Sequence, residues 1–303
     1  MKHFILILIA ALFFASCNSG NDAKSQTETV SADTIKVEEK VAYTASDEDL
    51  RIFDEIMKFA ALQNLKEKNT SEIEIEIAKQ FINTPYVGHT LETADDEHLV
   101  VNLHELDCST FMENVVTLSL CIKSGDTTFN DYCKKLRKFR YRNGVIDKYP
   151  SRLHYSTDWL LDNQKKGLIK IVSNDFGNAD FNSTVGFMSS HPENYKQLSN
   201  PEFVKEIAKY EELIGREKLK YITKDQIDNL ASNIKDGDII GFSTTVNGLD
   251  ISHVVIAAFL DNRLHFYHAS SLEKKVVLSD KPMSEYLANK KKSDGILVAR
   301  ILE

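Results

Sequence analysis

The sequence predicts an α+β fold, with helices first and an antiparallel sheet after them. Two textures say so. Up to residue 214 the apolar side chains recur at helical spacing, and from Asp238 onward they come in short, β-branched runs bounded by turns. A third observation ties the halves together. Glu105-Leu106-Asp107-Cys108-Ser109-Thr110 sets a cysteine where a loop becomes a helix, and the later runs place histidines on strands.

Residues 1–17 read as a targeting segment rather than a folded element. Lys2 and His3 give a basic start, an apolar run follows to Phe14, and small residues precede Cys17. The run is short for a membrane span and has the proportions of a secretory core. Phe14-Ala15-Ser16-Cys17 resembles a bacterial lipobox. That resemblance implies cleavage before Cys17, lipidation of its thiol and a lipoprotein facing the periplasm, with the outer membrane the expected carrier. A plain secretory peptide with an incidental cysteine is the alternative. Residues 18–46 are rich in Ser, Thr, Asn, Asp, Glu and Lys and poor in large apolar side chains, so they read as a flexible tether.

Residues 47–303 suit one domain, with a helical elaboration at about 142–220. Helices are expected at 47–68, on a stripe of Leu50, Phe53, Ile56, Met57, Ala60 and Ala61, and at 71–81. In the second, the Ile73-Glu74-Ile75-Glu76-Ile77 alternation also permits a strand. Thr84-Pro85-Tyr86-Val87-Gly88 breaks the pattern. The helix from Cys108 carries Phe111, Val115, Leu118 and Ile122 on one face, and further helices follow at 129–139, 156–163 and 201–214. Strands are expected at 238–243, 253–260, 264–269, 275–278 and 296–302.

The formal net charge of −8 argues against a nucleic-acid partner. The chain has no Gly-rich phosphate loop and no internal repeat. Its four cysteines include no Cys-x-x-Cys pair. With Cys17 lipidated, Cys108, Cys121 and Cys133 remain, an odd number that leaves a free thiol or an intermolecular bridge. Cys121 and Cys133 suit either a disulfide or a reduced, buried pair. His89, His98, His104 and His265 match no metal-ligand spacing, so no metal or cofactor is expected. A monomer is the default.

A thiol in a first helical turn meets the positive end of the helix dipole and unpaired N–H groups, which lower its pKa and enrich the nucleophilic thiolate. Such a thiol needs a base and a group that orients the base. His253 opens a strand and His268 lies on the next. A hairpin through Asp261-Asn262-Arg263 would bring them side by side, so that His268 holds the ring of His253. Each residue taken alone also has a plain structural reading, as a buried thiol or a packed imidazole.

Asp107-Cys108-Ser109, then Ser252-His253-Val254 opening a strand, then His268-Ala269 on the next, resemble the NlpC-type, papain-like cell-wall cysteine hydrolases. Thr84-Pro85-Tyr86 resembles that clan's tyrosine-bearing loop. Ser151-Arg152-Leu153-His154-Tyr155 with Asp158-Trp159 resembles the Arg-Leu-His-Tyr signature of the N-acetylmuramoyl-L-alanine amidase-like branch, and Phe187-Met188-Ser189 with His191 and Tyr195 fits its middle region. The resemblance spans residues 47–303. It implies a papain-like fold, with the cysteine helix packed on the sheet. It also implies hydrolysis of the amide between N-acetylmuramic acid and L-alanine in peptidoglycan fragments.

In that scheme Cys108 attacks, His253 moves the proton and His268, or else Ser270 or a nearby carbonyl, orients His253. The oxyanion would meet backbone N–H groups at the helix start and the Tyr86 hydroxyl. Asp107, Ser109 and Ser252 flank the reacting pair and are expected, with Tyr86, to contact substrate. Arg152, His154 and Tyr155, if they line the cleft, would bind substrate: Arg152 through its bidentate fork and Tyr155 by stacking on a sugar. Trp159, the only tryptophan, reads as core. The rival readings are a γ-D-glutamyl DL-endopeptidase of the same clan, a non-catalytic peptidoglycan-binding lipoprotein and a metal-dependent amidase.

Overall fold

The computed structural model describes residues 39–92, 96–182 and 184–302. The expected targeting segment, the lipidation site Cys17 and most of the tether lie outside these residues. Residues 40–303 form one unit. The tether ends earlier than composition suggests. Val41 is buried and its N–H donates to Asn130 Oδ1, and β1 (Tyr43–Thr44) pairs in parallel with β2 (Leu99–Val100). A two-residue pairing leaves no periodic signal to read.

The helical half begins with α1 (Asp47–Leu62) and α2 (Thr70–Gln80). Ser46 and Asn69 cap them, each accepting the backbone N–H three residues on, with the Asp49 and Glu72 side chains returning the bond. α1 is shorter than the expected 47–68 because Asn64 turns left-handed (φ 51°) and a 3₁₀ turn follows. The alternation in the second segment gives way to the helical period: Ile73 and Ile77, one turn apart, are fully buried.

Next come α3 (Cys108–Ser124) and α4 (Phe129–Arg140). Gly125, left-handed at φ 79°, ends α3, a conformation that suits glycine. Buried on every side, α3 runs through the main core with Phe111, Val115, Leu118 and Ile122 inside it. Glu113 inside it is paired with Arg140 at 2.7 Å and accepts the Trp159 indole N–H at 3.1 Å. Trp159 stacks on Phe139, so the tryptophan is core.

The segment read as a helical elaboration is more deeply woven in than that. It holds α5 (Ser156–Lys165), the short α6 (Ser173–Phe176) and α7 (Phe187–Ser190), and α8 (Pro201–Gly215). It also holds β3 (Ile169–Lys170) and β4 (Ala179–Phe181), and both join the main sheet. β5 (Leu219–Thr223) and the short α9 (Ile227–Leu230) lead into the sheet proper. Its strands are β6 (Ile239–Ser243), β7 (Ile251–Leu260), β8 (Arg263–Ser270), β9 (Lys275–Leu278) and β10 (Gly295–Ile301), with α10 (Met283–Ala288) before the last.

The spatial order is β4-β5-β10-β6-β7-β8-β9, every pair antiparallel, with β3 added beside β10. One face, with Val254, Ile256 and Ala269, packs on the layer that contains α3. The other, with Phe242, Val255 and Phe266, is covered by Met283 and Leu287 of α10 and Ile227 of α9. A third, smaller cluster around Tyr149, Tyr155, Met188 and Ile207 consolidates the woven-in segment.

Candidate active site

Asp107 caps α3 by accepting the Thr110 N–H at 2.8 Å, which leaves Cys108 as the first helical residue. This carboxylate, read as a substrate contact, is occupied by the helix it starts. Tyr86 is bridged to Leu106: Leu106 N–H donates to Pro85 O and Val87 N–H to Leu106 O, so the tyrosine loop lies against the approach to the cysteine. Burial pushes the Tyr86 hydroxyl pKa up, and proximity to Cys108 and Asp107 adds to the shift.

β7 begins at Ile251, two residues before the expected start. Phe242 pairs with His253 but Ser243 pairs with Ile251, so Ser252 is one residue of surplus in β7. Such a bulge bends a strand and re-aims its side chains. Here Ile251 and Val254 both face the α3 layer, Ser252 is exposed, and its hydroxyl donates to Phe242 O at 3.3 Å.

The β7–β8 hairpin turns through Asp261 and Asn262, both at positive φ, the turn type that fits strand twist. It brings Nε2 of His253 to 2.7 Å from Nδ1 of His268. Ser270 does not replace His268 in that bond, because its hydroxyl accepts the Glu273 N–H. His268 rests edge-on against Phe266 and is buried.

Cys108 and His253 line one cleft of about 470 Å³, with Ser109, His154, Tyr155, Asp250 and Ser252. The Val254 N–H, one residue from His253, and the Ser109 hydroxyl and N–H favour the thiolate of Cys108. His253 also lines a second pocket of about 260 Å³, shared with His268, Tyr286 and Lys290.

The thiol does not behave as the helix start alone predicts. Burial, then the Asp107 carboxylate, pushes its pKa up to about 11 against the three donors. Burial, then His268 and Lys290, pushes His253 down to about 3, and burial and Lys290 push His268 down to about 4. Both shifts favour the uncharged forms, thiol and neutral imidazole.

The opposite wall reads differently from the expectation. Arg152 is 5 % exposed and bound to Glu92 at 2.5 Å, with Glu97 at 3.6 Å, so it does not line the cleft. A guanidinium surrounded by its own carboxylates is part of the wall's interior. His154 does line the cleft; its Nε2 lies 2.9 Å from Tyr149 O, and burial, then Arg152, pushes its pKa down to about 3. Tyr155 lines it too, while its hydroxyl donates to Glu211 at 2.7 Å and accepts the Met188 N–H at 2.8 Å.

Asp250, Tyr149 and the 194–197 turn also line the cleft, with Glu92 and Met188 among others. Sequence reasoning passed over Asp250 and Tyr149 and met Tyr195 only as part of the branch's middle region, and the only signal for Asp250 was its place three residues before His253. Of the spare histidines, His89 lines the cleft, while His98 Nδ1 lies 2.9 Å from Asp96 O, His104 Nδ1 2.8 Å from Asp49 and His265 Nδ1 3.1 Å from Ser279 O. Cys121 and Cys133 are buried free thiols.

Residues 76–296 match the family described as AmiA-like, N-acetylmuramoyl-L-alanine amidase-like. A crystal structure of an N-acetylmuramoyl-L-alanine amidase from Bacteroides uniformis is 38 % identical with a TM-score of 0.74, over 77 % of this chain and 99 % of that one. A Bacteroides fragilis protein provisionally named a xylanase is 40 % identical with a TM-score of 0.71, over 74 % of this chain and 99 % of the other. A Legionella pneumophila protein at 22 % identity and TM-score 0.63, over 84 % of this chain and 96 % of its own, shares the fold. Comparison with curated proteins finds no match.

Proposed function

The chain belongs to the N-acetylmuramoyl-L-alanine amidase-like family, and from that premise we propose that it is a cell-wall cysteine amidase of papain-like, NlpC-type architecture. Its substrate is the amide joining N-acetylmuramic acid to L-alanine in peptidoglycan fragments. The observation that carries the reading is that Cys108 and His253 line one cleft while His253 Nε2 lies 2.7 Å from His268 Nδ1.

With Nε2 of His253 protonated and donating to His268, Nδ1 is the nitrogen left to accept a proton, and His253 shares the cleft with Cys108. It takes the thiol proton as sulfur attacks the lactyl carbonyl. The oxyanion that forms is met by N–H groups at the start of α3, assisted by the Tyr86 hydroxyl. Collapse breaks the C–N bond. His253 returns the proton to the L-alanine nitrogen, which leaves as an amine. Water, deprotonated by His253, then cleaves the thioester to the muramic carboxylic acid and regenerates the thiol. The proton transfer accompanies attack, because both partners rest uncharged.

A glycosidase would need two carboxyl groups facing a sugar. The cleft carboxylates are Glu92, bound to Arg152, and Asp250, bound to the Thr157 N–H. That arrangement supports the amidase over the xylanase name. We further propose a monomeric lipoprotein anchored through Cys17 and facing the periplasm, which would put the cleft beside its substrate.

Mass spectrometry of defined muropeptides incubated with wild type and Cys108→Ala tests the reading. Muramyl sugar and an intact peptide beginning with L-alanine, absent with the variant, are expected. Release of L-Ala-D-Glu would instead make it an endopeptidase, and no cleavage at all a binding protein.

A further inference from the structure

α5 starts without a cap of its own. Tyr155 occupies the N-cap position and offers no side-chain acceptor. The acceptor comes from 93 residues away: Asp250, 2 % exposed, takes the Thr157 N–H at 2.7 Å. A carboxylate suits the positive end of a helix, where N–H groups have no partner within the helix. Burial pushes this carboxyl's pKa above its usual range, and bonds from the Thr157 and Ile251 N–H groups oppose the shift.

The location of this link matters. Asp250 is followed at once by Ile251, Ser252 and His253, the bulged start of β7. α5 is preceded at once by His154 and Tyr155, on the facing side of the cleft. Asp250 therefore fastens the strand that carries the imidazole to the segment that forms the opposite wall.

We propose that Asp250 is a positioning residue for the amide hydrolysis, setting the separation of the two cleft walls at the level of Cys108 by capping α5 from the His253 strand. The proposal deepens the amidase reading and rests on it. Its effect runs through the placement of His253.

The test compares the full chain with Asp250→Ala, Asp250→Ser and Asp250→Asn in three measurements: thermal midpoint, kcat and KM on a muropeptide, and the rate of Cys108 alkylation by iodoacetamide. Asp250→Ala is expected to lose about 10- to 100-fold in kcat, as small misplacements do, with KM within about twofold. Cys108 in this variant is expected to alkylate several times faster as the walls part. Asparagine keeps an acceptor oxygen at the same reach and should restore most of kcat. Serine caps helices well but reaches less far, so it should fold and still lose kcat.

If Asp250→Ala does not fold, the serine variant decides. Wild-type kcat and alkylation rate in folded Ala or Ser variants, with only the midpoint lowered, overturn the proposal. If the wild type cleaves no muropeptide the amidase reading fails, and the alkylation rates still judge Asp250.

Discussion

The two walls of the cleft are built on opposite plans. The sheet wall presents few side chains and fixes them through its own hairpin: His253, beside Val254 in the cleft lining, is held by His268 at 2.7 Å. The other wall, drawn from residues 142–200, is rich in polar and aromatic groups, yet most are bound to one another. Arg152 is taken by Glu92 and Glu97, His154 by Tyr149 O, and Tyr155 by Glu211 and Met188. One wall is chemistry held rigid by backbone. The other is an interior turned toward the substrate, so its polar residues shape the cleft more than they grip a ligand.

That contrast makes predictions of different kinds for the two walls. On the sheet side, Cys108→Ala should lower muropeptide turnover by about 10⁴-fold or more with the thermal midpoint unchanged. His268→Ala should cost about 10²-fold in kcat through a misoriented imidazole; turnover within twofold of wild type would remove His268 from the mechanism. Across the cleft, Arg152→Ala should destabilise the chain by about 3–5 kcal/mol in a denaturant titration, since it leaves two carboxylates without their cation. A KM raised tenfold at unchanged stability would reinstate Arg152 as a substrate ligand and erase the contrast. Tyr155→Phe should cost about 1–3 kcal/mol, with Glu211 and the Met188 N–H left unpaired, and leave kcat near wild type.

Proton linkage reaches both walls. His154, His253 and His268 titrate below their ordinary 6.5 in the folded chain. The unfolded chain therefore binds more protons as pH falls, and stability present above about pH 6.5 drains away down to about pH 3. Melting curves across that range should show the loss, and His154→Gln should remove part of it without changing kcat. The thiol gives the complementary sign. Held up to about 11, Cys108 should alkylate about tenfold faster per pH unit well above neutrality. A rate already flat from pH 5 would mean an ion pair and a different resting state.

The sheet wall was readable because its determinants are local. Alternating apolar runs, an Asp-Asn turn and a cysteine behind a helix cap each announce themselves within a few residues. The pairing of His253 with His268 followed from hairpin geometry alone. The other wall was not readable in the same way. The Arg-Leu-His-Tyr stretch marked the right place, but Arg152 finds its partners about 60 residues upstream and Tyr155 finds Glu211 56 residues downstream. Proximity in sequence says nothing about which carboxylate claims a guanidinium. The raised thiol pKa escaped for a related reason, since a helix start is visible in sequence and the desolvation around it is not.

Ser252 carries a message for anyone mapping this protein by mutation. Its side chain is exposed and makes one long bond, so a substitution scan will score the position as tolerant. Its length in the chain is what counts. Removing the residue would return β7 to strict alternation: Ile251 and Val254 would still face α3, His253 would keep its place beside Phe242, and Asp250 would be drawn one residue along the strand, away from the Thr157 N–H. The bulge is a reading-frame property of the strand, which deletions detect and substitutions miss.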